Sequence, residues 1–338
     1  MKNKIRIIIP YFGKFPDSIK PFLLSCKKNT EFEWLFFTDD VIDNCPLNVT
    51  MIKCSLEDIK SRIEQTVGFS IELNAPYKLC DFRPAFGDVF SDELEGYDFW
   101  GWGDIDLVYG DLSKFITDEL LDNYDKIYPC GHLSLIKNDK EINQVYKLSI
   151  VNTLDYKEVF TNPTSFIFDE YKGLNEKLLS VGKKIYGSIE FADIDIVYSR
   201  FRTADKKTIK KVFPKYIFLK SVPRNYKQQV FCYRAGKTYR FYVKSRKVLS
   251  EEVVYIHYRH KIPCDDNIKD SFYITNIGFV KADGFPTKKI INDLNQYKGF
   301  SFERKEYLLF LKERLIMKVA KNKRLRNIIR MLKGKNRI

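Results

Sequence analysis

A chain of 338 residues with 44% hydrophobic and 15% aromatic side chains has ample material for a packed core, which excludes a disordered or low-complexity protein. No stretch approaches the roughly 20 apolar residues that cross a bilayer, and the run Ile5 to Ile9 is stopped by Pro10, so neither a membrane span nor a secretory leader is expected. The formal charge is +14, but residues 304–338 carry 13 Lys/Arg against two Glu, which leaves +3 for the first 303.

In chain order, Lys4 to Pro10 is a β-branched strand running into Tyr11-Phe12-Gly13, followed by an amphipathic segment from Asp17 to Lys28. Glu33 to Thr38 repeats the strand signal and ends in Asp39-Asp40. Val49 to Lys53 reads as a third strand, and Ser55 to Thr66 as a helix whose cap is Ser55 with Asp58 three residues on, a capping-box pattern. Asn74 to Leu94 is predicted helical, capped by Asn74, with Pro76 in its first turn and an interruption at Pro84. Further on come two short strands in Lys126 to Ile136 split by Gly131-His132, and helical segments at Asp139 to Ser149 and Glu170 to Val181. Val230 to Tyr233 and Thr238 to Val243 flank Arg-Ala-Gly-Lys as a hairpin, and Val253 to Tyr258 is the last expected strand. Alternating strands and helices imply an α/β fold, a mostly parallel central sheet flanked by helices. No repeat or Gly/Ser linker divides the chain, so one domain over 1–303 and a basic tail over 304–338 are expected.

The chemistry concentrates in Phe99-Trp100-Gly101-Trp102-Gly103-Asp104-Ile105-Asp106. In extended backbone, residues i and i+2 point the same way, so Asp104 and Asp106 can face one divalent cation, Mn²⁺ or Mg²⁺, while Ile105 points into the core. Gly101, Gly103 and Gly110 would let a ligand approach the backbone. The competing reading of an isolated Asp-x-Asp is a turn after a buried strand. His257 alternates with apolar residues in Val-Val-Tyr-Ile-His-Tyr, either as a further ligand or as a core histidine. Lys78 and Arg83 lie in an aromatic setting, to neutralise phosphate or to pair with Asp81. Glu190, Asp193 and Asp195 supply carboxylates of which one can deprotonate an acceptor hydroxyl, Asp193 preferred, or else they mark a helix N-terminus. Seven cysteines without a Cys-x-x-Cys pair suit reduced thiols and a cytosolic setting, with Cys80 and Cys130 as core residues.

Leu308, Leu311, Leu315, Val319, Ile329 and Leu332 recur mostly at three or four residues, which predicts an amphipathic basic helix in the tail. An anionic membrane surface suits it. A helix packed on its own domain is the alternative, and the lack of interleaved aromatics argues against nucleic acid.

The blocks Ile9 to Gly13, Phe37 to Asp40, Tyr77 to Pro84, Asp104-Ile105-Asp106 with Gly110-Asp111, and Val254 to His257 together resemble nucleotide-sugar glycosyltransferases of the GT-A fold. They are similar in particular to an uncharacterised bacterial group associated with capsule and other surface-polysaccharide synthesis. The resemblance covers residues 5–261 and leaves the tail outside. It implies a GT-A-like fold and transfer of a sugar from a nucleotide donor, a UDP-sugar foremost, to a glycan or lipid-linked acceptor at the inner membrane face. It implies that Pro10, Tyr11, Phe12 and Asp39 contact the nucleoside, that Lys78 and Arg83 lie near its phosphates, and that the metal is held by Asp106 as the foremost direct ligand, with His257 completing the site and Asp104 a metal or ribose contact. Asp193, with Glu190 beside it, matches the acceptor-contacting acid only loosely. A metal-dependent phosphotransferase or nucleotidyltransferase, and a non-catalytic assembly protein with this fold, are the alternatives.

Overall fold

The computed structural model describes residues 1–195, 202–203, 226, 228–258, 262–264, 268–275 and 278–295. The strands are β1 (Ile5–Tyr11), β2 (Phe32–Thr38), β3 (Val49–Lys53), β4 (Phe99–Gly103), β5 (Leu107–Tyr109), β6 (Lys126–Ile127), β7 (Leu133–Lys137), β8 (Ile185–Tyr186), β9 (Ala192–Asp195), β10 (Arg202–Thr203), β11 (Gln229–Arg234), β12 (Lys237–Lys244), β13 (Lys247–Val253), β14 (Tyr255–His257), β15 (Ser271–Thr275) and β16 (Gly278–Lys281). Helices α1 (Ile19–Lys27) and α2 (Leu56–Val67) follow β1 and β3.

The fold is α/β. Its central sheet has the order β3-β2-β1-β4-β7-β6-β8, with four of six pairings parallel and β7 antiparallel to both neighbours. The period-2 alternation of strand side chains divides its apolar residues between two cores. Ile5, Ile7, Ile9, Trp34 and Phe36 face one, packed with Phe22 and Cys26 of α1. Ile8, Leu35, Phe37, Trp100 and Trp102 face the other, packed with Ile59 and Ile63 of α2. Ser55 caps α2 through the reciprocal bonds with Asp58 that the sequence predicts, and Gly68 ends it in the left-handed conformation.

Among the described residues, two smaller sheets accompany the central one. One has the order β10-β9-β14-β5 and the other, entirely antiparallel, β13-β12-β11-β15-β16. The β11–β12 hairpin turns at Ala235-Gly236, both at positive φ, as the Ala-Gly signal requires. β13, β15 and β16 lie outside the sequence expectations. The β12–β13 turn is Ser245-Arg246 at positive φ, with neither Gly nor Asn to announce it. The strand expected over Val253 to Tyr258 is two: Val253 closes β13 in one sheet and Tyr255 opens β14 in another.

The segment expected as a helix over Asn74 to Leu94 is a string of short turns: 3₁₀ turns at Pro76–Asp81 and Arg83–Ala85, an α-turn at Phe86–Val89 and a last 3₁₀ turn at Asp92–Leu94. Ala75, in extended backbone, holds the cap position, while the Asn74 side chain bonds Glu72. Two prolines within nine residues break the α-helical ladder, and 3₁₀ turns accommodate them. Among the described residues no helix is long and apolar enough to cross a membrane; the expected tail helix lies outside them.

Candidate functional site

β1 lies between β2 and β4, so the chain departs to opposite sides of the sheet from these neighbours. Such a switch point leaves a crevice beyond the carboxyl ends of the strands, where open α/β sheets receive ligands. A cleft of about 680 Å³ lies there, lined by residues that include Pro10, Tyr11, Phe12, Arg83, Asp104, Asp106, Asp169, Glu170, His132 and His257.

The Asp104-Ile105-Asp106 triplet is a bend between β4 and β5 rather than the extended strand expected of it. Ile105 is half-buried against the first core and also lines the cleft. The carboxylates converge nonetheless, because Asp104 N–H donates to the His132 carbonyl at 3.0 Å and Tyr258 N–H to the Asp106 carbonyl at 3.1 Å. Gly101, Gly103 and Gly110 are each closely packed, and Gly103 also lines the cleft. A side chain at these positions would strike the Ser134 carbonyl, the Tyr109 hydroxyl and the Thr238 hydroxyl respectively.

Strand pairing supplies the histidine. β14 runs antiparallel to β5, with His257 opposite Leu107, and parallel to β9, with His257 opposite Asp193. His257 Nε2 therefore stands 3.4 Å from Asp106 Oδ1 and Nδ1 3.0 Å from Asp193 Oδ1. Burial disfavours the imidazolium, but the two carboxylates, Asp106 foremost, outweigh it and raise the pKa to about 10. Burial likewise opposes ionisation of Asp106, and the facing imidazolium outweighs that, holding its pKa below the usual carboxylate range.

The donor set fits a hard or borderline divalent cation. One ligand atom each from Asp104, Asp106 and His257 lies within 4.8 Å of the others, and two carboxylate oxygens with one imidazole nitrogen suit Mn²⁺ or Mg²⁺. Holding a cation there requires His257 to release its proton, as for any metal-ligating histidine. His132, Asp193 and His257 form a second such group, entirely buried.

The other expected residues divide. Pro10, Tyr11 and Phe12 form a cleft wall, with Tyr11 stacked on Phe15 at 4.7 Å. Asp39 is exposed at the end of β2, where it accepts the Gly13 N–H at 2.8 Å, and so shapes the loop beside the cleft. Arg83 lines the cleft but spends its guanidinium on Asp104, on Asp169 at 2.9 Å and on the Gly131 carbonyl at 2.9 Å. Lys78 does not line the cleft. Its buried amine donates to Asp81 and to the Val159 and Thr164 carbonyls at 2.7–2.9 Å, so the Asp81 pairing prevails over a phosphate contact.

Asp193 and Glu190 fall in different places. The segment is the strand β9 and not a helix N-terminus, and Asp193 is buried behind His257, where it orients the ring. Glu190 faces a different surface hollow, near the Tyr128 and Tyr186 hydroxyls. Cys130 is buried as expected; Cys80 is half-buried and lines the cleft.

Four cleft residues escaped the sequence reading. Tyr77 stands 64% exposed on the rim. His132 packs its ring 4.6 Å from that of His257, with its Nδ1 2.8 Å from the Tyr255 hydroxyl. Asp169 contacts Arg83, and Glu170 accepts the Gly131 N–H. Burial, opposed by Arg83 and reinforced by Glu170, raises the Asp169 pKa to about 7. The signals available were the Gly-His break between two strands and the adjacent acid pair, which the helical pattern of 170–181 absorbed; that helix begins only at Leu174.

No curated protein matches the chain in sequence. Among solved structures it is similar to galactosyltransferase LgtC in complex with donor and acceptor sugar analogs, at 10% identity and a TM-score of 0.37, over 75% of this chain and 87% of that one. It is similar to mouse xyloside xylosyltransferase 1 at 8% identity and a TM-score of 0.34, over 57% and 88%. Glycosyltransferase GlyE of Streptococcus pneumoniae TIGR4 matches at 12% identity and a TM-score of 0.30, over 54% of this chain and 44% of its own. The sequence model of one family matches residues 7–283, which span both strand ends of the cleft and the strand bearing His257, and the chain belongs to that family, DUF6625, a family of unknown function.

Proposed function

We propose that this protein is a metal-dependent glycosyltransferase that moves a sugar from a nucleotide donor to a surface polysaccharide or lipid-linked glycan. The observation that carries the reading is the convergence of Asp104, Asp106 and His257 within 4.8 Å, at the mouth of a cleft walled by Pro10, Tyr11 and Phe12. In this reading the three side chains hold Mn²⁺ or Mg²⁺, whose Lewis acidity stabilises negative charge on the departing nucleoside diphosphate. Tyr11 and Phe12 offer the apolar surface that a nucleobase seeks. Asp193 keeps His257 in register for the metal, the role of a carboxylate behind a ligating imidazole. Arg83 supplies the cationic group nearest the diphosphate. The domain over 1–303 carries the reaction, and the basic tail over 304–338 holds the protein to the anionic inner face of the membrane.

Calorimetric titration of UDP, GDP and CMP into the full chain, with Mn²⁺ and then with EDTA, tests this reading. Manganese-dependent binding of one nucleotide, with slow hydrolysis of its sugar conjugate to the nucleoside diphosphate, is the expected result. Transfer of phosphate or of a nucleotidyl group from the same donor would assign the alternative chemistry, and absence of nucleotide binding under either condition would overturn the proposal.

A further inference from the structure

Asp169 is 1% exposed and yet lines the cleft. One of its oxygens, Oδ2, takes the Arg83 guanidinium at 2.9 Å; the other, Oδ1, is buried and has no hydrogen-bond donor. A carboxyl oxygen left unpaired in the interior is unfavourable, and a ligand hydroxyl is a group that relieves it without adding charge. Glu170 stands beside it in the same wall, fixed by the Gly131 N–H.

The wall is held rigidly. Asp81, buried and neutralised by Lys78, accepts the N–H groups of Phe166 at 2.8 Å and Phe168 at 2.9 Å, so both ends of this turn are strapped to the 3₁₀ segment beneath. Between them Ile167 adopts φ +56°, a left-handed conformation that a β-branched residue rarely takes, and its carbonyl accepts the N–H of Glu170 and of Tyr171. The strap maintains this strained turn, whose effect is to present Asp169 and Glu170 together.

Charge then limits what can approach. Among the described residues, Asp104, Asp169 and Glu170 share this part of the cleft with one guanidinium, that of Arg83. A neutral polyhydroxylated ring finds hydrogen-bonding oxygens here, whereas a carboxylate-bearing ring brings a further negative charge beside Asp104 into a partly desolvated, acid-rich wall.

We infer that Asp169 and Glu170 read the sugar of the donor, accepting its hydroxyls and excluding uronates, so that the substrate class is an uncharged hexosyl nucleotide. The inference rests on the nucleotide-sugar reading of the cleft. Calorimetry on the full chain with Mn²⁺ tests it, with UDP, UDP-galactose and UDP-glucuronate, and GDP and GDP-mannose in parallel, on the wild type, Asp169→Asn and Glu170→Gln.

The wild type should bind a hexosyl nucleotide about 10-fold or more tighter than the bare diphosphate, the gain expected of charge-assisted hydrogen bonds, and should bind UDP-glucuronate no tighter than UDP. Asp169→Asn should erase most of that gain while leaving the diphosphate affinity within about 2-fold, a change below half of the tenfold step. Glu170→Gln, whose amide oxygen still accepts the Gly131 N–H, should retain the fold and narrow the gap between hexose and uronate. Equal loss of diphosphate and sugar affinity in Asp169→Asn, an unchanged sugar gain in both variants, or wild-type preference for the glucuronate would each overturn the inference alone. Failure of the wild type to bind any nucleotide would remove the nucleotide-sugar reading and this inference with it.

Discussion

Two faces of one short segment, residues 76–85, carry ion pairs of opposite character. A 3₁₀ turn has three residues per turn, so side chains three apart eclipse. Tyr77, Cys80 and Arg83 line the cleft, while Lys78 and Asp81 point into the interior, 3% and 0% exposed. The inner pair is saturated: three acceptors surround the Lys78 amine, and Asp81 also takes two backbone N–H groups. The Arg83–Asp104 pair stands in the cleft, with Asp104 about a third exposed and within reach of a ligand. Saturation and burial mark a strut, whereas a partly exposed charge pair at a strand end marks a place where a ligand can exchange for a partner.

That contrast can be broken most forcefully at the strut. Asp81→Ala strands a buried ammonium and two N–H groups, and should lower stability in urea denaturation by about 3–5 kcal/mol. Asp104→Asn should cost no more than about 1 kcal/mol, as partly exposed pairs do; an equal loss in both would erase the distinction. Within the cleft, Asp106→Ala should abolish manganese-dependent nucleotide binding and leave the urea midpoint near that of the wild type. Unchanged metal-dependent affinity would take Asp106 out of the metal site. Asp193→Asn sharpens the comparison, because a group behind a ligand should reduce metal affinity by about 10–100-fold without eliminating it.

The smallest effect concerns a third buried cation, Lys126. Its amine donates to the Tyr128 carbonyl and the Ser134 hydroxyl at 2.8 Å, and among the described residues it forms no ion pair. Burial lowers its pKa to about 8, against 10.5 ordinarily. Between these values the folded state has released a proton that the unfolded chain still holds, so this group's contribution to stability rises with pH over that window. The melting temperature of Lys126→Met, relative to wild type, should therefore fall as pH is raised from 8 to 10. A pH-independent difference would show that the amine titrates normally.

The sequence carried the scaffold of the cleft further than its chemistry. β1, β2, β3 and the hairpin β11–β12 were legible because their signals are local: β-branched runs ended by Pro10 or Asp39, and Ala-Gly at a turn requiring positive φ. The Ser55 capping box was legible for the same reason. The 3₁₀ segment was not, since Asn74, Pro76 and Pro84 read equally well as cap and interruptions of an α-helix. Glu190 and Asp193 could not be told apart. Their shared acidity was visible, but not that one would stand behind His257 and the other in a separate hollow.

What the sequence alone determined is the α/β alternation, the separation of a basic tail from a nearly neutral body, and the candidacy of Asp104, Asp106 and His257, because residue type and short-range period govern these. The tertiary structure decided which side chains meet. His257 reaches Asp106 and Asp193 only because β14 pairs with both β5 and β9, strands far apart in the chain. Asp169 reaches Arg83 only because Asp81 straps the 166–168 turn to the segment beneath it. Such pairings depend on register and burial across more than sixty residues, and no local pattern encodes them.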